Sequence, residues 1–263
     1  MKEKSKNTDA YIDQLEEKIV GLSLQLKSKT NELSLVQESN QKSMGKLVHN
    51  LKNPVGVIFS FSDMILEGID DYTSEKLEKH IQIIKKSADF SIQLLNQIAK
   101  YTQLDATDFN FTFEPLNYIE ILMNISKEFY NVSSEKNIII EKEFPKTPII
   151  LTVDKEEISV AIRNILNNAL RFSNKNTTIT IKVKETLIAI ETTITDEGIG
   201  ISEDDLHAIF NNFHVVNTYS EDKQKCIGLG LSIAKKIVVS HNGKVSATSI
   251  LNKGTSITIT LPK

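Results

Sequence analysis

The spacing of apolar residues makes the first third of the chain helical and the remainder an alternation of helix and strand. From Ile12, apolar side chains recur at steps of three and four through Leu15, Ile19, Leu22, Leu26, Leu33, Val36 and Leu47, with Lys29, Asn40 and Ser43 at intervening seam positions. That spacing predicts a coiled coil, in which a polar seam residue such as Asn40 fixes register at some cost in stability. The helical pattern continues through "LVHNLKNPVGVIFSFSDMILE" as far as Glu67. "GIDDYTS" then supplies a turn, and Ser74 ahead of Glu75 is the expected N-cap of a second helix. Its stripe is Leu77, Ile81, Ile84, Ala88, Ser91, Leu95, Ile98 and Thr102, of the same period, so the two helices should form an antiparallel hairpin. Two helices alone bury little apolar surface, and pairing two hairpins into a four-helix bundle covers them, which predicts a homodimer.

After "DATDFN" the period changes. A helix over 117–136 precedes strands at "NIIIEKEF" and "IILTV", then come a helix "EEISVAIRNILNNALRF", strands "TTITIKVK" and "LIAIETTITD", and a helix over 203–210. A helix over 228–241 and a hairpin "KVSATSI"/"TSITITL" around "LNKG" complete the pattern. The fold class is therefore α+β: a coiled coil over 1–43, a helical hairpin over 44–104, and a two-layer α/β sandwich over 113–263.

Composition narrows the function. With 263 residues, 40% of them apolar, the chain is long enough for real cores. A formal charge of -3, from 31 basic and 34 acidic residues spread along the chain, leaves no basic stripe for nucleic acid. The single cysteine, Cys226, excludes an internal disulfide, and the charged start "MKEKSKNTDA" lacks the apolar core of a signal peptide. Both suit the cytoplasm. No apolar run reaches the roughly eighteen residues that span a bilayer, so a stimulus is expected in solution or through a partner, such as an upstream sensor protein acting on the coiled coil.

Three segments carry candidate chemistry. "DEGIG", Asp196 to Gly200, ends an alternating strand: its glycines let backbone approach a flat ligand, and the carboxylate can accept from an exocyclic amine. A glycine-rich turn after a strand is the plainer alternative. "CIGLGLSIAKK" places Gly228 and Gly230 where loop becomes helix, a backbone that favours phosphate or merely eases the start of the helix. In "NILNNALRF", Asn164, Asn168 and Arg171 share one helical face, suited to magnesium and phosphate oxygens or to solvent.

In this order the three segments resemble the ATP domain of sensor histidine kinases, a Bergerat-type fold shared with some chaperones and topoisomerases. "IFNNF" at Ile209 to Phe213 matches the family's phenylalanine box, and "NKGTSITITLP" its closing hairpin. The resemblance implies that Asp196 receives the adenine amino group and that Gly198 and Gly200 shape the adenine pocket. It also implies that Asn168 ligates Mg²⁺, with Asn164 and Arg171 at flanking positions, and that residues 214–227 form the ATP lid. Upstream, "HNLKNP" resembles the family's phosphoacceptor box, which makes His49 the residue phosphorylated by ATP and the hairpin the dimerisation domain.

A neutral imidazole offers a ring nitrogen to attack phosphorus, and Pro54 removes the helical N–H that would bond the Asn50 carbonyl, favouring a kink beside the ring. The family's acid after the histidine is Asn50 here. An amide holds a tautomer but carries no charge, which by analogy with other histidine–carboxylate pairs costs roughly 10²–10⁴ in rate. Asn53 fits the position associated with dephosphorylating the partner regulator. Cys226 stands where the family's lid motif has its first glycine, and lies near the expected nucleotide.

The expected function is an ATP- and Mg²⁺-dependent protein-histidine kinase that autophosphorylates His49. It would pass the phosphoryl group to an aspartate on the receiver domain of a response regulator. One alternative is a phosphatase-dominant or kinase-dead regulator that binds ATP; a second is a non-enzymatic coiled-coil scaffold.

Overall fold

The computed structural model describes residues 2–68, 72–106, 108–216 and 226–263. The chain divides into two units, 1–52 and 53–263. The first belongs to one helix, α1 (Lys2–Glu67), which contains Pro54 without ending there. Of its apolar seam, Leu22 and Leu26 are exposed; the side chains of Ile12, Leu15, Ile19, Leu33, Val36, Asn40 and Ser43 lie outside the described ones.

In the second unit, the last turns of α1 and helix α2 (Ser74–Asp105) form the expected antiparallel hairpin. Its closed end is pinned by aromatic contacts: the His80 ring meets Phe61 at 4.9 Å and Tyr72 at 5.3 Å, edge to face. The Tyr72 hydroxyl bonds His80 Nδ1 at 2.7 Å. The cap is Thr73 rather than Ser74, its hydroxyl accepting from the Lys76 N–H at 3.3 Å. The buried side of α2 also differs from expectation. Ser91 is buried as the stripe has it, but Leu94 is buried while Ile81 and Leu95 of the stripe are exposed, because α2 packs on a helix of the α/β layer and turns Leu94 inward.

The α/β layer follows the pattern with local corrections. A strand the alternation missed, β1 (Glu114–Asn117), pairs antiparallel with β3 (Ile150–Val153) in a separate two-stranded ladder. It is short and contains Pro115, which hides the signal. The predicted helix over 117–136 is two, α3 (Tyr118–Glu128) and α4 (Tyr130–Glu135), divided at Phe129, whose ψ of -2° ends the helical run. The main sheet runs β2-β4-β5-β7-β6 and is formed by Ile139–Glu143, Thr178–Glu185, Ala189–Thr195, Gly254–Pro262 and Lys244–Ile250. β2 and β4 are parallel and the other pairs antiparallel.

Helices α5 (Lys155–Phe172) and α7 (Gly230–Ser240) pack together over this sheet, while the predicted helix at 203–210 shrinks to α6 (Glu203–Leu206). Alternation puts Ile179, Ile181, Ile190, Ile194, Ile257 and Ile259 inside against Ile158, Ile162, Ile165 and Leu166 of α5. Tyr118 is fully buried, its hydroxyl 3.0 Å from that of Thr192, and burial pushes the phenol up to about 12.

One polar junction positions α5 against α7. The Asp154 carboxylate caps α5 by accepting from the Glu157 N–H at 3.0 Å and takes the Thr112 N–H at 2.8 Å. Its own N–H donates to Nε2 of buried His241 at 3.0 Å, and His241 Nδ1 lies 2.7 Å from the Ile237 carbonyl. Nε2 therefore accepts and Nδ1–H donates, the neutral tautomer.

Candidate functional site

The end of β5 delivers Asp196 into a crowded backbone crossing. Its side chain is buried, and Oδ1 accepts from the N–H groups of Gly198 at 2.9 Å and Thr255 at 3.2 Å. Burial pushes the carboxyl up to about 6, opposed by those two backbone donors. Both bonds fall on Oδ1, so Oδ2 has capacity for a donor on a ligand.

Three glycines make the crossing possible. A β-carbon on Gly198 would stand 2.1 Å from the Phe172 carbonyl oxygen; one on Gly254, where φ is +110°, 1.9 Å from that of Asp196. Gly200, at φ +66°, would meet the Ile250 carbonyl oxygen at 2.2 Å. Gly198 and Gly200 thus hold the strand end against its protein neighbours, the plainer of the two readings of "DEGIG", a glycine-rich turn after a strand. Gly254 and Thr255 were not singled out, although "NKGT" after a strand carries the same signal.

Asp196 opens into a cavity of about 730 Å³. Asn164, Asn168 and Arg171 reach it from α5, Gly228 and Gly230 from the start of α7, and Gly200 from the loop after β5; Gly198 lies behind it. The first N–H groups of α7 have no side-chain cap, the condition in which a helix start favours an anion. The two glycines of that segment differ. Gly228 has φ +75° and a β-carbon would meet the His214 carbonyl oxygen at 2.6 Å, whereas at Gly230 the nearest atom, Asn164 Oδ1, is 3.6 Å away, ordinary contact.

The neck of the expected lid is closed by the Phe213 N–H donating to the Gly228 carbonyl at 2.8 Å. Residues 217–225 of that lid lie outside the described residues. Cys226 lines the cavity half-buried, and burial pushes its thiol up against the pull of Arg171. Among the described residues no cluster of three or more His, Cys, Asp or Glu could hold a metal, so a cation here would rest on an amide such as Asn168, on phosphate oxygens and on water, a donor set that fits magnesium.

On α1, His49 is exposed, Asn50 and Asn53 are half-buried and Pro54 is buried.

Residues 153–263 match the family of histidine kinase-, DNA gyrase B- and HSP90-like ATPases. The sensor histidine kinase WalK of Bacillus subtilis is 28% identical over 247 residues, 93% of this chain and 40% of that protein. The sensor protein KdpD of Clostridium acetobutylicum is 30% identical over 250 residues, 93% of this chain and 27% of that protein. Residues 153–263 thus belong to that ATPase family, and over 93% of its length the chain is similar to sensor histidine kinases. It spans less than half the length of these two curated relatives. A solved complex of the histidine kinase ThkA with the response regulator protein TrrA superposes with a TM-score of 0.70 at 21% identity, over 84% of this chain and 61% of that one, a likeness of fold. Among the described residues no helix is long and apolar enough to cross a membrane.

Proposed function

We infer that this chain is an ATP-dependent protein-histidine kinase that phosphorylates His49 and hands the phosphoryl group to an aspartate on a response regulator receiver domain. The observation that carries the reading is Asp196, a buried carboxylate held by two backbone donors at the mouth of a cavity shared with the amides of α5 and the start of α7. In this reading Oδ2 of Asp196 takes the adenine amino group. Gly198 and Gly200 keep the backbone close enough for the ring, and Asn164, Asn168 and Arg171 face the phosphates. Asn168 would hold Mg²⁺, which supplies charge neutralisation to phosphoryl transfer.

His49, exposed on α1, presents a ring nitrogen as nucleophile; Asn50 orients the ring, and Asn53 orients water for dephosphorylation of the regulator. The exposed Leu22 and Leu26 on α1 and Ile81, Ile92 and Leu95 on α2 support a homodimer through coiled coil and hairpin, in the division 1–43, 44–104 and 113–263. The coiled coil would receive the signal of an upstream sensor protein.

Asn50 in place of an acid favours a second reading, a phosphatase-dominant regulator that binds ATP. One experiment separates them: incubation with γ-labelled ATP and Mg²⁺ of wild type, His49→Gln and Asn50→Asp. Acid-labile label on wild type that vanishes in His49→Gln is the kinase result. No label on wild type, but label on Asn50→Asp, is the phosphatase-dominant result.

A further inference from the structure

The cavity has a fourth wall that the family motifs do not account for. Phe90, Gln93, Asn96 and Gln97 of α2 line it opposite the residues of α5. α2 is held there by the Lys100–Glu157 ion pair, whose side chains are 23% and 8% exposed, by the Lys236–Asp105 pair, and by Lys236 Nζ lying 3.9 Å over the Tyr101 ring. The Lys100–Glu157 pair sets the level of the two helices. One turn back from Lys100 along α2 is Gln97 and two turns back is Gln93; two turns on from Glu157 along α5 is Asn164. Gln97 and Gln93 line the same cavity as Asn164 and Gly230 at the start of α7.

Gln97 is also unsatisfied. Its Oε1 is buried and has no hydrogen-bond partner. A buried acceptor without a donor is costly, and such an atom in a native fold calls for a ligand or water. Gln93 and Asn96 add two further amides on the same wall, and an amide presents either a carbonyl or an NH₂ to what it meets.

We propose that Gln97 is a nucleotide-binding residue contributed by α2, so that the triphosphate end of the nucleotide and its hydrated cation are held between the helical hairpin and the ATPase layer. The proposal rests on the cavity being a nucleotide site. Gln97 supplies its NH₂ as donor to a phosphate oxygen, or by rotation of its amide, which frees the buried oxygen, an acceptor to cation-bound water. In either case nucleotide binding reports the docking of α2.

The test uses the full chain, with binding of Mg²⁺–AMPPNP measured by calorimetry for wild type, Gln97→Met, Gln97→Glu and the exposed control Gln103→Ala, alongside thermal unfolding without nucleotide. Gln97→Met keeps the volume and removes the unmet acceptor. It should weaken AMPPNP roughly three- to tenfold, the worth of one hydrogen bond, while leaving the unfolding temperature of the free protein equal or higher. Gln97→Glu should weaken it further through repulsion of phosphate, and Gln103→Ala should match wild type. AMPPNP affinity within twofold of wild type in Gln97→Met overturns the proposal, as does a loss of affinity matched by a lowered unfolding temperature in both Gln97 variants. Wild type that fails to bind AMPPNP overturns the nucleotide reading itself.

Discussion

Gly254 lies so close to the backbone of Asp196 that a β-carbon there would stand 1.9 Å from the Asp196 carbonyl oxygen. The turn between β6 and β7 is thereby pressed onto the end of β5, which lets the Thr255 N–H reach the Asp196 carboxylate. Gly254→Ala is expected to cost about 1–3 kcal/mol or more, from overpacking and from a conformation at φ +110° that a side chain resists. Gly230→Ala, with its nearest neighbour at 3.6 Å, should leave stability almost unchanged. Urea unfolding of the two variants checks the contrast.

Asp196 predicts a pH dependence. Its folded value of about 6 exceeds the ordinary 3.8, so between these values the folded chain holds a proton that the unfolded chain has released. The group favours folding fully below about pH 4, and that contribution is lost as pH rises through about 6. Nucleotide affinity should run the other way and fall as pH drops below about 6, since the ionised carboxylate is the stronger acceptor. Asp196→Asn should flatten this contribution to the unfolding temperature and weaken ADP roughly tenfold or more. Unfolding and ADP titrations over about pH 3.5–7 read both.

The Lys100–Glu157 pair predicts a stability difference between ion pairs. Lys100→Met leaves a nearly buried carboxylate unpaired and should destabilise by about 1–3 kcal/mol. Lys79→Ala breaks a pair with Glu75 whose side chains are 69% and 79% exposed, and should stay within about 0.5 kcal/mol. Denaturant midpoints decide it.

Cys226 predicts chemical inertness. Burial raises its thiol, which lowers the thiolate fraction that oxidants and alkylating agents attack. Iodoacetamide should label it several-fold more slowly than a free thiol near neutral pH, and nucleotide should slow it further. Peroxide should leave AMPPNP affinity the same in wild type and Cys226→Ser, so that redox gating through this residue is not expected.

The elements that sequence specified best were those whose pattern is local. The period-two runs at β4, β5 and β7 and the apolar face of α5 needed no tertiary information, and "DEGIG" announced its crowded turn through the glycines themselves. What escaped depends on neighbours distant in sequence. Leu94 and Leu95 are equivalent until α7 is placed beside α2. The β1 strand exists only because β3 offers it an edge. Gln97 reads as a solvated position on a helix until a cavity forms against it, and His241 joins the core through the N–H of a residue on another element.

The hydrogen bond from Phe213 to Gly228 has a consequence for how such proteins vary. That backbone contact, at 2.8 Å, holds the two flanks of the expected lid together. The segment in between can gain or lose residues at a cost that grows only with the logarithm of its length. Its length and sequence can therefore diverge widely among related chains while the scaffold that receives the nucleotide stays as it is.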